Sequence, residues 1–317
     1  MLSPHQAQHP LTRRSLPTLA LGLAVAGSNT KAWAAADGQA ARVQAAITAI
    51  EAKNGGRLGV AVLDTGSGRQ VTWRANERFP MCSTYKLVVG AAILAQADHG
   101  EIDLGRTVPF GPADLLDYAP VTRQALREGS SMTVEALCVA AIRWSDNTAA
   151  NMLLGLLGGP AGWTAYVRSI GDSVSRLDRT EPTLNEAVSG DPRDTTTPAA
   201  MLRDVHALLL GDALSARFRA RLEAMMADNE LTNGLLRAGL PTDWRVADKS
   251  GAGERSTRND VGIIRPPSGA PILISVFYTG SEQPMTVQNA VIADVARAVI
   301  NMAGWYPSRP RRVSCCW

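Results

Sequence analysis

The sequence predicts an α+β fold: an antiparallel β-sheet flanked by helices, with an all-α lobe inserted between the parts of the chain that build the sheet. Three observations predict it. Strand patterns cluster towards the two ends, over residues 57–64 and 70–74 and again over 245–249, 260–265 and 271–278. The middle of the chain reads helical. No internal repeat or low-complexity linker divides the 317 residues. Local connections favour antiparallel pairing of the two strand groups, with the helical stretch between them as a lobe. The expected division is residues 35–78 and 213–306 for the α/β lobe and 79–212 for the all-α lobe. A cleft between two such lobes is a natural small-molecule site.

The elements follow in order. Residues 41–53 read as a helix. The strands at 57–64 and 70–74 are joined by a Gly/Ser-containing turn at 65–68. Residues 87–97 are apolar and alanine-rich, which favours a helix. Thr133 is a candidate N-cap for a helix over 134–144. Another helix covers 147–157 and is stopped by Gly158-Gly159-Pro160. Thr197 followed by Pro198 reads as an N-cap with proline in the first turn, opening a helix to about Leu210. A last helix covers 287–302.

Composition sets bounds on function. The chain is 45% hydrophobic and 19% charged, with a formal charge of +3. No basic stripe with interleaved aromatics is present, which argues against a nucleic-acid partner. Arg13 and Arg14 precede an apolar run from Leu19 to Ala26, and Ala32-Trp33-Ala34 fits an A-x-A cleavage pattern. Residues 1–34 therefore read as a signal peptide, and the paired arginines resemble a twin-arginine signal. The run is too short to span a bilayer as a stable anchor. A soluble periplasmic or secreted protein is expected. The four cysteines, Cys82, Cys138, Cys315 and Cys316, do not form a disulfide framework. Residues 307–317, rich in Arg and Pro, read as a disordered tail.

Some chemistries can be set aside. The four histidines are His5, His9, His99 and His206, and no H-E-x-x-H occurs, so a three-histidine zinc site is not expected. No G-x-S-x-G elbow supports a Ser-His-Asp triad, and no Gly-rich phosphate loop is present. What remains is Ser83-Thr84-Tyr85-Lys86. A serine opening a helix has a lysine one turn away at i+3. A desolvated lysine near other cations gives up its proton readily. The helix N-terminus favours an oxyanion. Taken alone, the same four residues also read as an N-cap serine and a surface lysine. Ser145-Asp146-Asn147 stands between two helical runs and reads equally as a cap. Lys249-Ser250-Gly251 ends a strand, and its glycine leaves room for a ligand along the strand edge or simply begins a loop.

The order of these three motifs, about sixty and then about a hundred residues apart, resembles that of class A β-lactamases and penicillin-binding proteins. A fourth segment favours the β-lactamases. Glu181-Pro182-Thr183-Leu184-Asn185 resembles the E-P-x-L-N core of the class A omega loop, and Arg179 and Asp194 match the ion pair that ties its ends. The resemblance runs from about Val43 to Trp305.

The resemblance implies hydrolysis of penicillins and early cephalosporins through a serine acyl-enzyme, conferring antibiotic resistance. Ser83, Lys86, Ser145 and Glu181 take the catalytic positions. Asn147, Asn185, Lys249, Ser250, Ala252, Arg258 and Tyr118 take binding positions, with Asn289 a looser match supporting Arg258. It implies no metal or cofactor, a small-molecule β-lactam as the partner, a monomer, a cis Glu181-Pro182 bond and inhibition by clavulanate. The rival readings are a DD-peptidase, which would lack a deacylating Glu181, and a β-lactam sensor, which would want a membrane anchor and no working base.

There are departures from the family. Carbapenem-hydrolysing relatives bridge the Cys82 position to that of Gly253, and others bridge the Cys138 position to that of Gly90, so neither bridge forms here. Cys82 is no substitute partner for Cys138: it lies about 12 Å along the helix from Gly90, against about 7 Å for bridged Cα atoms. Both thiols are expected free. The stretch Arg127–Ser131 is about two residues longer than in close relatives.

Overall fold

The computed structural model describes residues 26–227 and 229–302. Most of the expected signal segment, residues 1–25, and the expected tail, residues 307–317, lie outside them. The chain divides at Gly38, and from Gln39 onward it forms one compact unit. Among the described residues no helix is long and apolar enough to cross a membrane.

Helix α1 (Ala26–Asn54) leads into strands β1 (Arg57–Asp64) and β2 (Gln70–Trp73). After the short β3 (Phe79–Pro80) comes α2 (Tyr85–Asp98). Then follow β4 (Thr107–Pro109), α3 (Pro120–Glu128), β5 (Ser131–Thr133), α4 (Val134–Arg143), α5 (Asn147–Leu156) and α6 (Gly159–Ser169). A long loop returns to β6 (Thr195–Thr196), α7 (Pro198–Leu209) and α8 (Ala216–Ala227). The chain ends with β7 (Arg245–Gly253), β8 (Thr257–Arg265), β9 (Ile272–Thr279) and α9 (Met285–Met302).

The five long strands form one sheet in the order β2-β1-β9-β8-β7, each neighbour antiparallel. Both ends of the sequence therefore meet at the β1–β9 pairing, as the strand clustering predicts. The period-2 alternation of each strand serves two faces. Val60, Val62, Ile274 and Val276 pack with Val43 and Ile47 of α1 and Ile292 and Val295 of α9. Ala61, Val261, Ile263 and Phe277 face the other core, built around α2, α4 and α7.

Helix α2 is buried from Tyr85 to Ala95. A helix apolar on all sides belongs inside a protein, and α2 is the axis on which α4, α5, α6 and α8 pack. Thr133 and Thr197 act as the N-caps expected of them, accepting from Ala136 N at 3.1 Å and Ala200 N at 3.1 Å. Three helices, α3, α6 and α8, were not expected from the sequence. β7 also runs four residues past its expected end, through Ser250, Gly251 and Ala252 to Gly253.

Candidate active site

Ser83 lies in a 3₁₀ turn, Cys82–Thr84, that runs directly into α2. Cys82 has φ of 44°, a left-handed conformation that costs energy for a side chain with a Cβ and that recurs at functional sites. The turn is fixed against the sheet: Asn259 donates to Pro80 O at 2.9 Å and to Met81 O at 3.1 Å. Gly251 makes this approach feasible, because a Cβ there would stand 2.8 Å from Met81 O. The space beside Gly251 on this face is thus filled by the serine turn, while its neighbours Ser250 and Ala252 line the cavity along β7.

Ser145 also has positive φ, 55°. The turn that holds it is built by Asp146, which caps α5 by accepting from Ala149 N at 2.9 Å and also receives Val121 N and Thr122 N at 3.0 and 2.9 Å. Capping and function therefore coincide in one tripeptide, with Asp146 doing the first and freeing its neighbours to face the cleft.

Lys86 is the hub. Its ammonium, fully buried, donates to Ser145 O at 2.8 Å and Asn147 Oδ1 at 2.5 Å, and pairs with Glu181 Oε1 at 2.9 Å. Burial lowers the lysine's pKa, and the Glu181 charge opposes that shift. Across the cleft, Lys249 Nζ donates to Ser145 Oγ at 3.1 Å and to Ser250 O at 2.8 Å. Burial and the Lys86 charge bring Lys249 down to about 7. Arg258 donates from Nε to Asn289 Oδ1 at 2.8 Å.

Glu181 sits in the loop between α6 and β6. The bond to Pro182 is cis, as expected. Asn151 of α5 grips the Glu181 backbone on both sides, accepting from its N–H and donating to its carbonyl at 3.0 Å each. Asn185 Nδ2 donates to Glu181 Oε2 at 2.5 Å. The loop's ends are tied by Asp194, which pairs with Arg179 at 2.6 Å and accepts from the N–H groups of Asp178 and Arg179 at 2.7 and 2.9 Å. Asp194 is buried, so Asp194→Ala leaves two amides without their acceptor and the Arg179 guanidinium with Glu186 alone. It is expected to cost about 3 kcal/mol, read as a lowered midpoint in thermal unfolding.

A cavity of about 380 Å³ is lined by Ser83, Tyr118, Ser145, Asn147, Asn185, Ser250, Ala252 and Arg258, with Leu231 and Met285 at its rim. Of the sequence-predicted residues, Lys86, Glu181 and Lys249 lie buried behind this wall rather than on it. Sequence reading missed Leu231, Met285 and Asn151. It also missed the fully buried Tyr85, whose hydroxyl pKa is raised by burial and then by the Glu181 charge. No local pattern marks these residues, since each gains its role only from packing. Cys82 and Cys138 are free and buried, as expected, and burial raises both thiol pKa values.

A serine at the head of a buried helix, a desolvated lysine beside it and a buried carboxylate in reach of that lysine together define a serine hydrolase of the acyl-transfer class. Comparison with known proteins narrows this. The model of the Beta-lactamase enzyme family matches residues 42–303. Beta-lactamase AST-1 of Nocardia asteroides is 47% identical over 255 residues, covering 80% of this chain and 82% of that protein. Beta-lactamase CTX-M-8 of Citrobacter amalonaticus is 44% identical over 261 residues, 82% of this chain and 89% of the relative. Among solved structures, an ancestral class A β-lactamase of Gram-negative bacteria (GNCA) superposes with a TM-score of 0.80 at 53% identity, covering 82% of this chain and 99% of that one. A β-lactamase from Xanthomonas campestris gives 0.81 at 44% identity, covering 84% and 99%. The chain belongs to the β-lactamase enzyme family, as a class A serine enzyme. It is a hydrolase that opens the β-lactam amide.

Proposed function

We propose that this chain is an exported, monomeric enzyme that hydrolyses penicillins and early cephalosporins through an acyl-enzyme on Ser83, with Glu181 clearing the intermediate from an omega loop. The supporting observation is the Lys86 hub, which links the serine helix, the Ser145 turn and the Glu181 loop in one buried cluster.

In this reading Ser83 attacks the lactam carbonyl and its proton passes to Lys86, or to Glu181 through a water. The backbone N–H groups of Ser83 and Ala252 hold the oxyanion, each worth about 3–4 kcal/mol. Lys249 donates to the Ser145 oxygen, which leaves the Ser145 proton for the departing lactam nitrogen. Lys86 occupies Asn147 Oδ1, which leaves the Asn147 amide N–H groups for the substrate's side-chain carbonyl. Lys249, Ser250 and Arg258 take the substrate carboxylate, and Tyr118, half exposed at the mouth, flanks the entry. Asn185 spends its amide on Glu181 Oε2 and keeps Oδ1 unpaired among the described residues, an acceptor that orients the hydrolytic water. Export through the twin-arginine-like segment rests on residues 13–26 of the sequence.

One experiment tests the reading. Cells expressing the full chain are fractionated, and the periplasmic enzyme is assayed against benzylpenicillin beside Arg258→Ala. Repeated turnover in the periplasmic fraction is expected, with KM raised about tenfold in the variant, the loss of one charge-assisted contact. A single stoichiometric turnover, activity confined to the cytoplasm or an unchanged KM overturns the corresponding part.

A further inference from the structure

Two acidic side chains lie sealed behind the residues proposed to hold the substrate carboxylate. Asp248 and Asp260 are fully buried on the adjacent strands β7 and β8. The register sets Ser250 opposite Asp260 and Asp248 opposite Gly262. Alternation along the strands therefore puts both aspartates and Arg258 on one face of the sheet. Each carboxyl has one oxygen satisfied: Thr232 Oγ1 donates to Asp248 Oδ1 at 2.8 Å, and the Leu236 N–H donates to Asp260 Oδ2 at 3.3 Å. The other oxygens, Asp248 Oδ2 and Asp260 Oδ1, have no hydrogen-bond partner among the described residues, and the register makes the two side chains diagonal neighbours on that buried face.

Two acceptors cannot satisfy each other without a proton, and two bare carboxylates at this range repel. A buried pair of this kind titrates as a unit. We propose that Asp248 and Asp260 share one proton and present a single buried negative charge that keeps the Lys249 ammonium protonated for binding the substrate carboxylate. This rests on the reading of Lys249 as a carboxylate-binding residue, and it makes the two aspartates positioning residues.

The surrounding charges support the balance. Arg237, from the turn Leu236–Gly239, faces Asp248, and Arg258 faces both carboxyls. Burial raises the pKa of both carboxyls, and at Asp260 the Asp248 charge adds to it. Lys249 also faces Lys86 of α2 and Arg258, and both cations favour losing its proton. With burial acting the same way, the charge of Asp260 and Asp248 opposes deprotonation from the other face of the sheet, beside the Ser145 hydroxyl and Ser250 carbonyl that accept from the ammonium.

The sign gives a test that a purely structural role would not pass. Asparagine mimics a protonated aspartate, supplying an N–H where the shared proton stands. Asp248→Asn or Asp260→Asn alone thus keeps one negative charge, and the double variant removes it. The alkaline limb of kcat/KM for benzylpenicillin is expected to stay within about 0.3 pH unit in each single variant and to move about one pH unit towards acid in the double variant. A comparable acidward move in either single variant means two charges, and an unmoved limb in the double variant means none acts on Lys249. Either result overturns the proposal.

Lys249→Gln separates this from the reading beneath it. Loss of the alkaline limb in that variant supports Lys249 as the titrating group, and its persistence overturns that reading. Should the double variant not fold, infrared spectroscopy decides. It is done in an Asp204→Asn background, because burial and the Asp172 charge raise the pKa of the buried Asp204 carboxyl as well, a second source of such a band. A protonated-carboxyl band near neutral pH, lost on adding Asp260→Asn, is expected. Absence of the band, or its survival, overturns the shared proton.

Discussion

Ser83→Ala is expected to lower kcat for benzylpenicillin by about a millionfold, the cost of removing a nucleophile from a unit that works together. The substitution deletes one oxygen from a residue already nearly buried in its 3₁₀ turn. The backbone that holds the turn, with Asn259 on Pro80 O and Met81 O, is untouched. The Lys86 cluster keeps its three acceptors, since none of them is the Ser83 hydroxyl. Thermal unfolding should therefore stay within about 3 °C of the parent. Mass spectrometry gives the chemical readout: the parent gains the mass of a slowly released β-lactam and the variant does not. Covalent labelling of the variant would place the nucleophile elsewhere, with Ser145 the next hydroxyl in the cluster. Turnover within a hundredfold of the parent would exclude Ser83 as nucleophile outright.

What the sequence revealed of this arrangement divides along physical lines. β1 was legible to the residue, because a short continuous apolar run, Leu58 to Leu63, bounded by Gly55-Gly56 and the turn at 65–68 is a local signal. Capping at Thr133 and Thr197 was legible for the same reason. The far end of β7 was not, since Ser, Gly and Ala carry little strand preference and are held there by pairing with β8 over 257–265. Gly158 and Gly159 misled in an instructive way. Gly158, at φ of 86°, does end α5, but Gly159 and Pro160 open α6 immediately afterwards, so a stop signal was also a start. Helix α8, rich in Ala, Arg and Met, carries the propensity, but propensity alone is a weak signal.

The site divides in the same way. Ser83 and Lys86 are neighbours in the chain, and their motif could be matched directly. The contact of Lys249 with Ser145 joins residues 104 apart, and that of Lys86 with Asn147 spans 61. These follow from the fold and were reachable only through resemblance to a family. Asp248 and Asp260 carried no signal at all. An acidic residue in a strand ordinarily faces water, and the packing of the turns at Glu230–Thr232 and Leu236–Gly239 against β7 and β8 makes them a buried pair.

Glu181→Gln should separate the two halves of the reaction. One equivalent of benzylpenicillin is expected to acylate Ser83 in a burst, after which steady-state turnover falls about a thousandfold or more, the range for removing a general base. Glutamine keeps the shape and can still accept from Asn185, so the loop stays closed while the base is lost. The rate of the burst then bears on the acylation step. Glu181 is the charge that opposes proton loss from Lys86. Its neutralisation leaves the lysine, desolvated beneath the cleft, more readily neutral. If Lys86 takes the Ser83 proton, the burst in the variant is as fast as in the parent or faster, and only release fails. If Glu181 takes that proton through a water, the burst slows together with turnover. Stopped-flow measurement of the burst against pH distinguishes the two, because a lysine base makes acylation gain as pH rises through the lysine's titration. A variant that neither accumulates acyl-enzyme nor slows would remove Glu181 from the chemistry and leave the loop that carries it as scaffold alone.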